Sequence, residues 1–211
     1  MKTTDLIDLL SEDAAVHASL GRALALAFGI GVLGSGALLL ATVGVRPGMG
    51  AALETLRVAF KVCVTLLAAV AAAGVVWRIG RPGRPVRRPA LLLLVPLALL
   101  AAAVAAECLS VPAAGWGARL LGRHALFCLF FIPVLSLLPL AGLLLALRLG
   151  APQNPGRAGA SAGLAAGTIA AALYAWHCPD DSPLFVATWY GLAIGLMVLA
   201  GWLVGRRVLV W

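Results

Sequence analysis

Six apolar runs of helical length alternate with short polar stretches along this chain. They cover about residues 22–44, 57–77, 90–107, 124–147, 158–176 and 184–205. Each is built mainly from Leu, Ala, Val and Gly, without the polar/apolar alternation of a membrane barrel strand. A helix of roughly 20 apolar residues is long enough to cross a bilayer. The pattern predicts an all-α polytopic membrane protein, a bundle of six transmembrane helices forming one domain over residues 21–211.

Small residues and prolines refine the helices. Gly29, Gly31, Gly34 and Gly36 in the first run predict a helix packed inside the bundle, because small residues let backbones approach closely in lipid. Pro96 predicts a kink in the third helix, and Pro133 and Pro139 predict breaks in the fourth. The stretches 45–56 and 117–123 read as a loop and a turn.

Composition agrees with a lipid setting. The chain is 63% hydrophobic and 11% charged, less than half the charge of an ordinary soluble domain. Its formal charge of +8 points to orientation rather than to nucleic acid, because basic residues in a membrane protein collect on the cytoplasmic side. The stretch from Arg78 to Pro89 holds five arginines and three prolines and cannot be a span. With both termini inside, eleven Lys and Arg lie inside and five outside. The expectation is therefore N-in, C-in.

Residues 1–20 are the one amphipathic segment outside the runs. Leu6, Leu9, Leu10, Val16 and Leu20 fit one helical stripe, with Asp5, Asp8 and Glu12 largely opposite. Two readings stand side by side: a solvated leader, or a segment that orders on a partner. The segment lacks the basic start and apolar core of a secretory signal, so the first run is expected to remain as an anchor.

Candidate chemistry gathers in one polar knot, Tyr174-Ala175-Trp176-His177-Cys178-Pro179-Asp180-Asp181-Ser182-Pro183, between two apolar runs. All four cysteines, Cys63, Cys108, Cys128 and Cys178, fall in the outer half of the expected topology. His124 and Cys128 are four residues apart and share a helix face. Thiolate and imidazole together suit zinc and softer cations, and a neighbouring His or metal makes a thiol reactive. His124, Cys128, His177 and Cys178 thus form a candidate redox or metal-sensing constellation. Cys128, Cys178 and His177 are its candidate metal ligands. The alternative is a disulfide or buried cap that staples the outer loops. Lys61, one turn inside the second span, either snorkels outward or pairs with an acid, with Glu107 the candidate partner. The chain has no GxSxG, HExxH, P-loop or CxxC motif, so an enzyme is not expected.

One resemblance adds to this. Gly150-Ala151-Pro152, Pro155, Ala158-Gly159, Ala162-Gly163, Ala166-Gly167, Tyr174-Ala175, His177-Cys178-Pro179-Asp180-Asp181-Ser182 and Phe185 to Trp189-Tyr190 resemble the NrsF family. So do the leader from Met1 to Ala14, Lys61, and Cys128 ahead of Pro133. The resemblance implies a six-helix anti-sigma factor of the bacterial inner membrane. It implies a cytoplasmic leader, residues 1–20, that holds an extracytoplasmic-function sigma factor of the sigma-F type through Asp5, Leu6, Ile7, Leu9, Leu10 and Asp13. It implies that outward-facing Cys128 and Cys178, with His177 nearby, sense metal or oxidant. On this reading no cofactor is obligatory, and a transition or heavy metal is the candidate ligand of the cysteine site. The expected partners are the sigma factor and the lipid bilayer, with no direct nucleic-acid contact. Two other expectations stand beside it: a quinone-coupled thiol oxidoreductase or metal-handling membrane protein, and a small transporter.

Overall fold

A computed structural model describes residues 19–81 and 83–210. The described residues are helical, with no strand among them. The order is α1 (Leu20–Thr42), α2 (Met49–Leu53), α3 (Leu56–Ile79), α4 (Arg87–Leu92), α5 (Leu94–Ser110), α6 (Trp116–Leu121), α7 (Ala125–Leu147), α8 (Pro155–Tyr174), α9 (Pro183–Phe185), a π-helical segment (Val186–Tyr190) and α10 (Gly191–Val208).

Among the described residues, five helical stretches are long and apolar enough to cross a membrane. These are α1, α3, Arg87–Ser110, α7 and Pro183–Val208. Their outer faces remain apolar: Leu33, Leu97, Leu137 and Leu145 are each more than half exposed. Such a surface fits lipid rather than water. The sixth long helix, α8, is rich in Gly and Ala and lies against α1, α3, α7 and α10. It is the most enclosed helix, with Ala158, Ala162, Ala165, Ala166 and Ala170 fully buried.

Close approach of α8 and α10 explains that composition. Gly159 and Gly163 face Gly201, Gly205 and the carbonyl of Met197. A Cβ on Gly163 would collide with the Met197 carbonyl oxygen, and one on Gly205 would lie 2.6 Å from Gly159 Cα. The spacing of four residues places small side chains in one seam, so the two backbones pack directly.

Several expectations need correction. α1 is not inside the bundle: it buries one stripe, Leu24, Ala27, Gly31, Ser35 and Leu39. Pro133 and Pro139 lie within an unbroken α7. The disturbance expected from Pro96, by contrast, is present: the third apolar run breaks at Leu93, three residues earlier, where the missing N–H and the ring of proline disturb the preceding turn. The stretches read as a loop and a turn contain α2 and α6.

The core divides between the two ends. Leu39, Val58, Cys128, Ile132, Tyr174, Cys178 and Phe185 join at one end. Leu24, Val76, Leu143, Leu147, Ala162 and Leu209 join at the other.

Candidate thiol site

The segment between α8 and α9 begins by unwinding the end of α8. The N–H groups of His177 and Cys178 both donate to the Tyr174 carbonyl, at 2.9 and 3.0 Å. This turns Cys178 inward. Its side chain is fully buried, as is that of Cys128, one turn into α7.

Two acids fix the segment against its neighbours. Asp180 accepts hydrogen bonds from the backbone N–H groups of Arg123 and His124, and lies 3.2 Å from His124 Nδ1. It thereby caps the start of α7, whose own N-cap residue makes no side-chain cap. A negative charge there also matches the helix dipole. Gly122, at φ +56°, lets the chain turn close beneath Asp180 and Phe185, where a side chain would collide. Asp181 pairs with Arg46 at 2.8 Å and with Lys61.

Lys61 is the central cation of the site. It is 1% exposed, and its ammonium donates to the Cys178 carbonyl at 2.6 Å as well as to Asp181. Three donors on one ammonium thus hold the thiol segment to α3, with the Asp180 carbonyl a longer third acceptor at 3.4 Å. The expected Lys61–Glu107 pair is not formed. Glu107 binds Arg119 at 2.7 Å, lies 3.9 Å from Arg57, and accepts from Ser182 Oγ and the Leu184 N–H. It caps the chain entering α9, too far along its own network to take Lys61. The separation of the two acids' roles is a matter of which helix start each one faces.

The sulfur atoms of Cys128 and Cys178 stand 3.7 Å apart, unbridged. Cys128 Sγ–H also donates to Tyr174 Oη at 3.4 Å. The hydrogen bond from Cys128 and the nearby Lys61 charge outweigh burial and lower the Cys178 thiol to about 7. Disulfide formation would need the sulfurs to close from 3.7 Å to about 2.05 Å.

The histidines are not part of this pair. His177 Nδ1 lies 3.0 Å from the Gly44 carbonyl oxygen, and His124 is held by Asp180. Among the described residues, no three His, Cys, Asp or Glu side chains are grouped to hold a metal ion. The expected ligand set Cys128, Cys178 and His177 is therefore not assembled. Two buried thiols suit a soft, low-coordinate cation better than tetrahedral zinc. Cys63 is exposed on α3 and Cys108 lies apart on α5. The leader residues Asp5, Leu6, Ile7, Leu9, Leu10 and Asp13 lie outside the described residues.

The family described as NrsF, negative regulator of sigma F, matches residues 10–211. The chain belongs to the NrsF family. It is 36% identical over 214 residues to the anti-sigma-F factor NrsF of Caulobacter vibrioides (strain NA1000 / CB15N), across 100% of both chains. It is 34% identical over 213 residues to the probable anti-sigma-F factor NrsF of Azospira oryzae (strain ATCC BAA-33 / DSM 13638 / PS), again across 100% of both. These NrsF relatives are named as regulators, not enzymes. No solved structure matches the chain.

Sequence reasoning placed the cysteines in this member of the NrsF family, and named Tyr174 and Tyr190, but gave neither tyrosine nor Arg46 a part in the thiol site. The Tyr190 hydroxyl is buried without a hydrogen-bond partner among the described residues. Its ring packs 5.9 Å from that of Tyr174, beside the thiols. A signal was present: the chain has two tyrosines, Tyr174 opening the polar knot and Tyr190 seven residues after its end.

Proposed function

We propose that this chain is a membrane-bound anti-sigma factor of the bacterial inner membrane, with six spans and both termini in the cytoplasm. Its leader, residues 1–20, sequesters an extracytoplasmic-function sigma factor of the sigma-F type. Cys128 and Cys178 lie buried at the periplasmic end and respond to oxidant or to a soft metal ion. The carrying observation is the buried thiol pair, 3.7 Å apart and joined through Lys61 to α3 and through Asp180 to the start of α7. A change at the thiols therefore loads the two helices that flank α8. The full-length likeness to anti-sigma-F factors supports the regulatory half of the reading. The excess of basic residues at the opposite end supports the orientation.

Signalling follows from this arrangement. An oxidant that takes two electrons and the thiol protons joins the two sulfurs, and a soft metal cation neutralises the thiolates it binds; either way the negative charge available at Cys178, near Lys61, is lost. The Lys61–Asp181 contact then readjusts, and α3 and α7 move relative to α8. A differential of a few kcal/mol between the two packings is enough to take the leader from mostly bound to mostly free.

The test is co-purification of the sigma factor with the full chain, joined to a reporter of its target promoters. Leu6→Ala and Leu10→Ala are expected to lose the sigma factor and raise transcription without stress. Retained repression in both variants would remove the leader from the contact.

A further inference from the structure

Charge is divided along this molecule. The acids Glu107, Asp180 and Asp181 lie at the thiol end, and all ion pairs among the described residues are made there. The opposite end carries ten arginines, at positions 22, 78–88, 148, 157, 206 and 207, and no acid among the described residues. Arg81, Arg84 and Arg157 line one recess of about 290 Å³ there, with Gln153 and Asn154. Arg81 is already set in place: it donates to the Trp77 carbonyl at 3.0 Å and lies over the Trp77 ring.

Of the chain's other acids, Glu54 stands at the thiol end, just ahead of α3, and Asp5, Asp8, Glu12 and Asp13 all precede Ser19. Ser19 caps α1 at the arginine end. A methyl group on Gly21 would lie 3.1 Å from Arg81 Nη2, and Leu20 packs where side chains on Gly80 and Gly150 would stand. The leader is therefore tethered beside the recess. Asp13 is six residues before Ser19, a reach of at most roughly 20 Å.

We propose that the recess at Arg81, Arg84 and Arg157 is an intramolecular docking site for the acidic leader, residues 1–18, and that this docking competes with the leader's partner. The competition, though not the docking, rests on the leader being the sigma-factor contact. Exposed carboxylate–guanidinium pairs are individually weak and salt-screened. The tether offsets this by raising the local leader concentration to about the millimolar range. The result is a contact that is occupied yet displaceable. A leader docked in about four of five molecules would lower the partner's apparent affinity about fivefold.

The full chain in nanodiscs of zwitterionic lipid, with a photo-cross-linking residue at position 14, tests this. Cross-links to residues 78–88 and 153–157 are expected. They should fall severalfold at high salt, in Arg84→Gln/Arg157→Gln, and in Asp8→Asn/Asp13→Asn, which leaves the helical bundle untouched. Cross-links that persist in both double variants, or that reach only lipid or other helices, overturn the proposal. Cross-linking that is absent in zwitterionic discs overturns the proposal, and cross-linking abolished by adding anionic phospholipid would assign the recess to a lipid headgroup and also overturn it. In a separate arm, Arg84→Gln/Arg157→Gln should bind the sigma factor about fivefold more tightly. Lost cross-links with unchanged sigma-factor affinity would sink the competition while leaving the docking intact, and loss of the sigma factor in Leu6→Ala and Leu10→Ala separately tests the leader-contact reading.

Discussion

Lys61 on α3 and Asp181 in the segment after α8 form an ion pair across 120 residues of chain, with Lys61 almost wholly buried. The same ammonium binds the carbonyl of Cys178, so the position of the thiol and the pairing of the lysine are one structural fact.

Removal of that ammonium should loosen the thiol segment. Lys61→Met is expected to cost about 2–3 kcal/mol, less than the loss of a fully buried pair because Asp181 keeps Arg46. Thermal unfolding in detergent measures this. A midpoint unchanged from the parent chain would mean that Lys61 contributes nothing to holding the segment.

The thiol pair should close without large backbone movement. Oxidation of the Cys63→Ser/Cys108→Ser chain is expected to yield one intramolecular disulfide, read as a peptide linking residues 128 and 178 by mass spectrometry. Cys128→Ser and Cys178→Ser should each stay repressed under oxidant, with the reporter response lost. A normal response in either single variant would show that signalling does not need the pair.

Thiolate chemistry at Cys178 should begin near neutral pH. Its thiol lies at about 7, below the ordinary 9.0, because of the hydrogen bond from Cys128 and the Lys61 charge. A lowered acid favours the folded form fully above pH 9, and that contribution fades as the pH falls through about 7. The rate of modification by a small membrane-permeant thiol reagent should therefore rise through pH 7, and Lys61→Met should move the midpoint upward. A midpoint near 9 in the parent chain would contradict the role given to these neighbours.

Asp180 should matter as a cap rather than as a ligand. Asp180→Ala leaves the N–H groups of Arg123 and His124, just ahead of α7, without their acceptor and is expected to cost about 1–2 kcal/mol. Asp180→Asn should restore part of this in the same unfolding measurement. Equal loss in both would point to the charge on the helix dipole instead of the hydrogen bonds.

The seam between α8 and α10 should tolerate no side chain. Gly163→Ala is expected to destabilise by about 1–3 kcal/mol, because its Cβ meets the Met197 carbonyl, a backbone atom that cannot swing aside. Gly195→Ala, where a Cβ meets nothing within 4 Å, is the control and should be neutral.

The sequence by itself determined the six long helical runs, though not their exact ends nor the short helices α2 and α6. An apolar run of span length satisfies its own backbone by forming a helix, whereas a barrel strand needs neighbouring strands, and helix formation is a local matter. It also determined which end carries the arginines and which the cysteines, because the chain simply reverses at each polar stretch. The polar knot was legible for the same reason: charge and thiol together are rare in such a setting.

Tertiary structure alone decided the partners. Lys61 could reach either Glu107 or the Asp181 region by position along the spans. The choice of Asp181 follows from how α3 and α8 sit side by side, while Arg119 on α6 reaches Glu107 first. The 3.7 Å approach of Cys128 and Cys178 likewise depends on Asp180 capping α7 and on the glycine seam that places α8 centrally. Those distances are set by side-chain volumes packed between helices far apart in sequence, and no local pattern of residues encodes them.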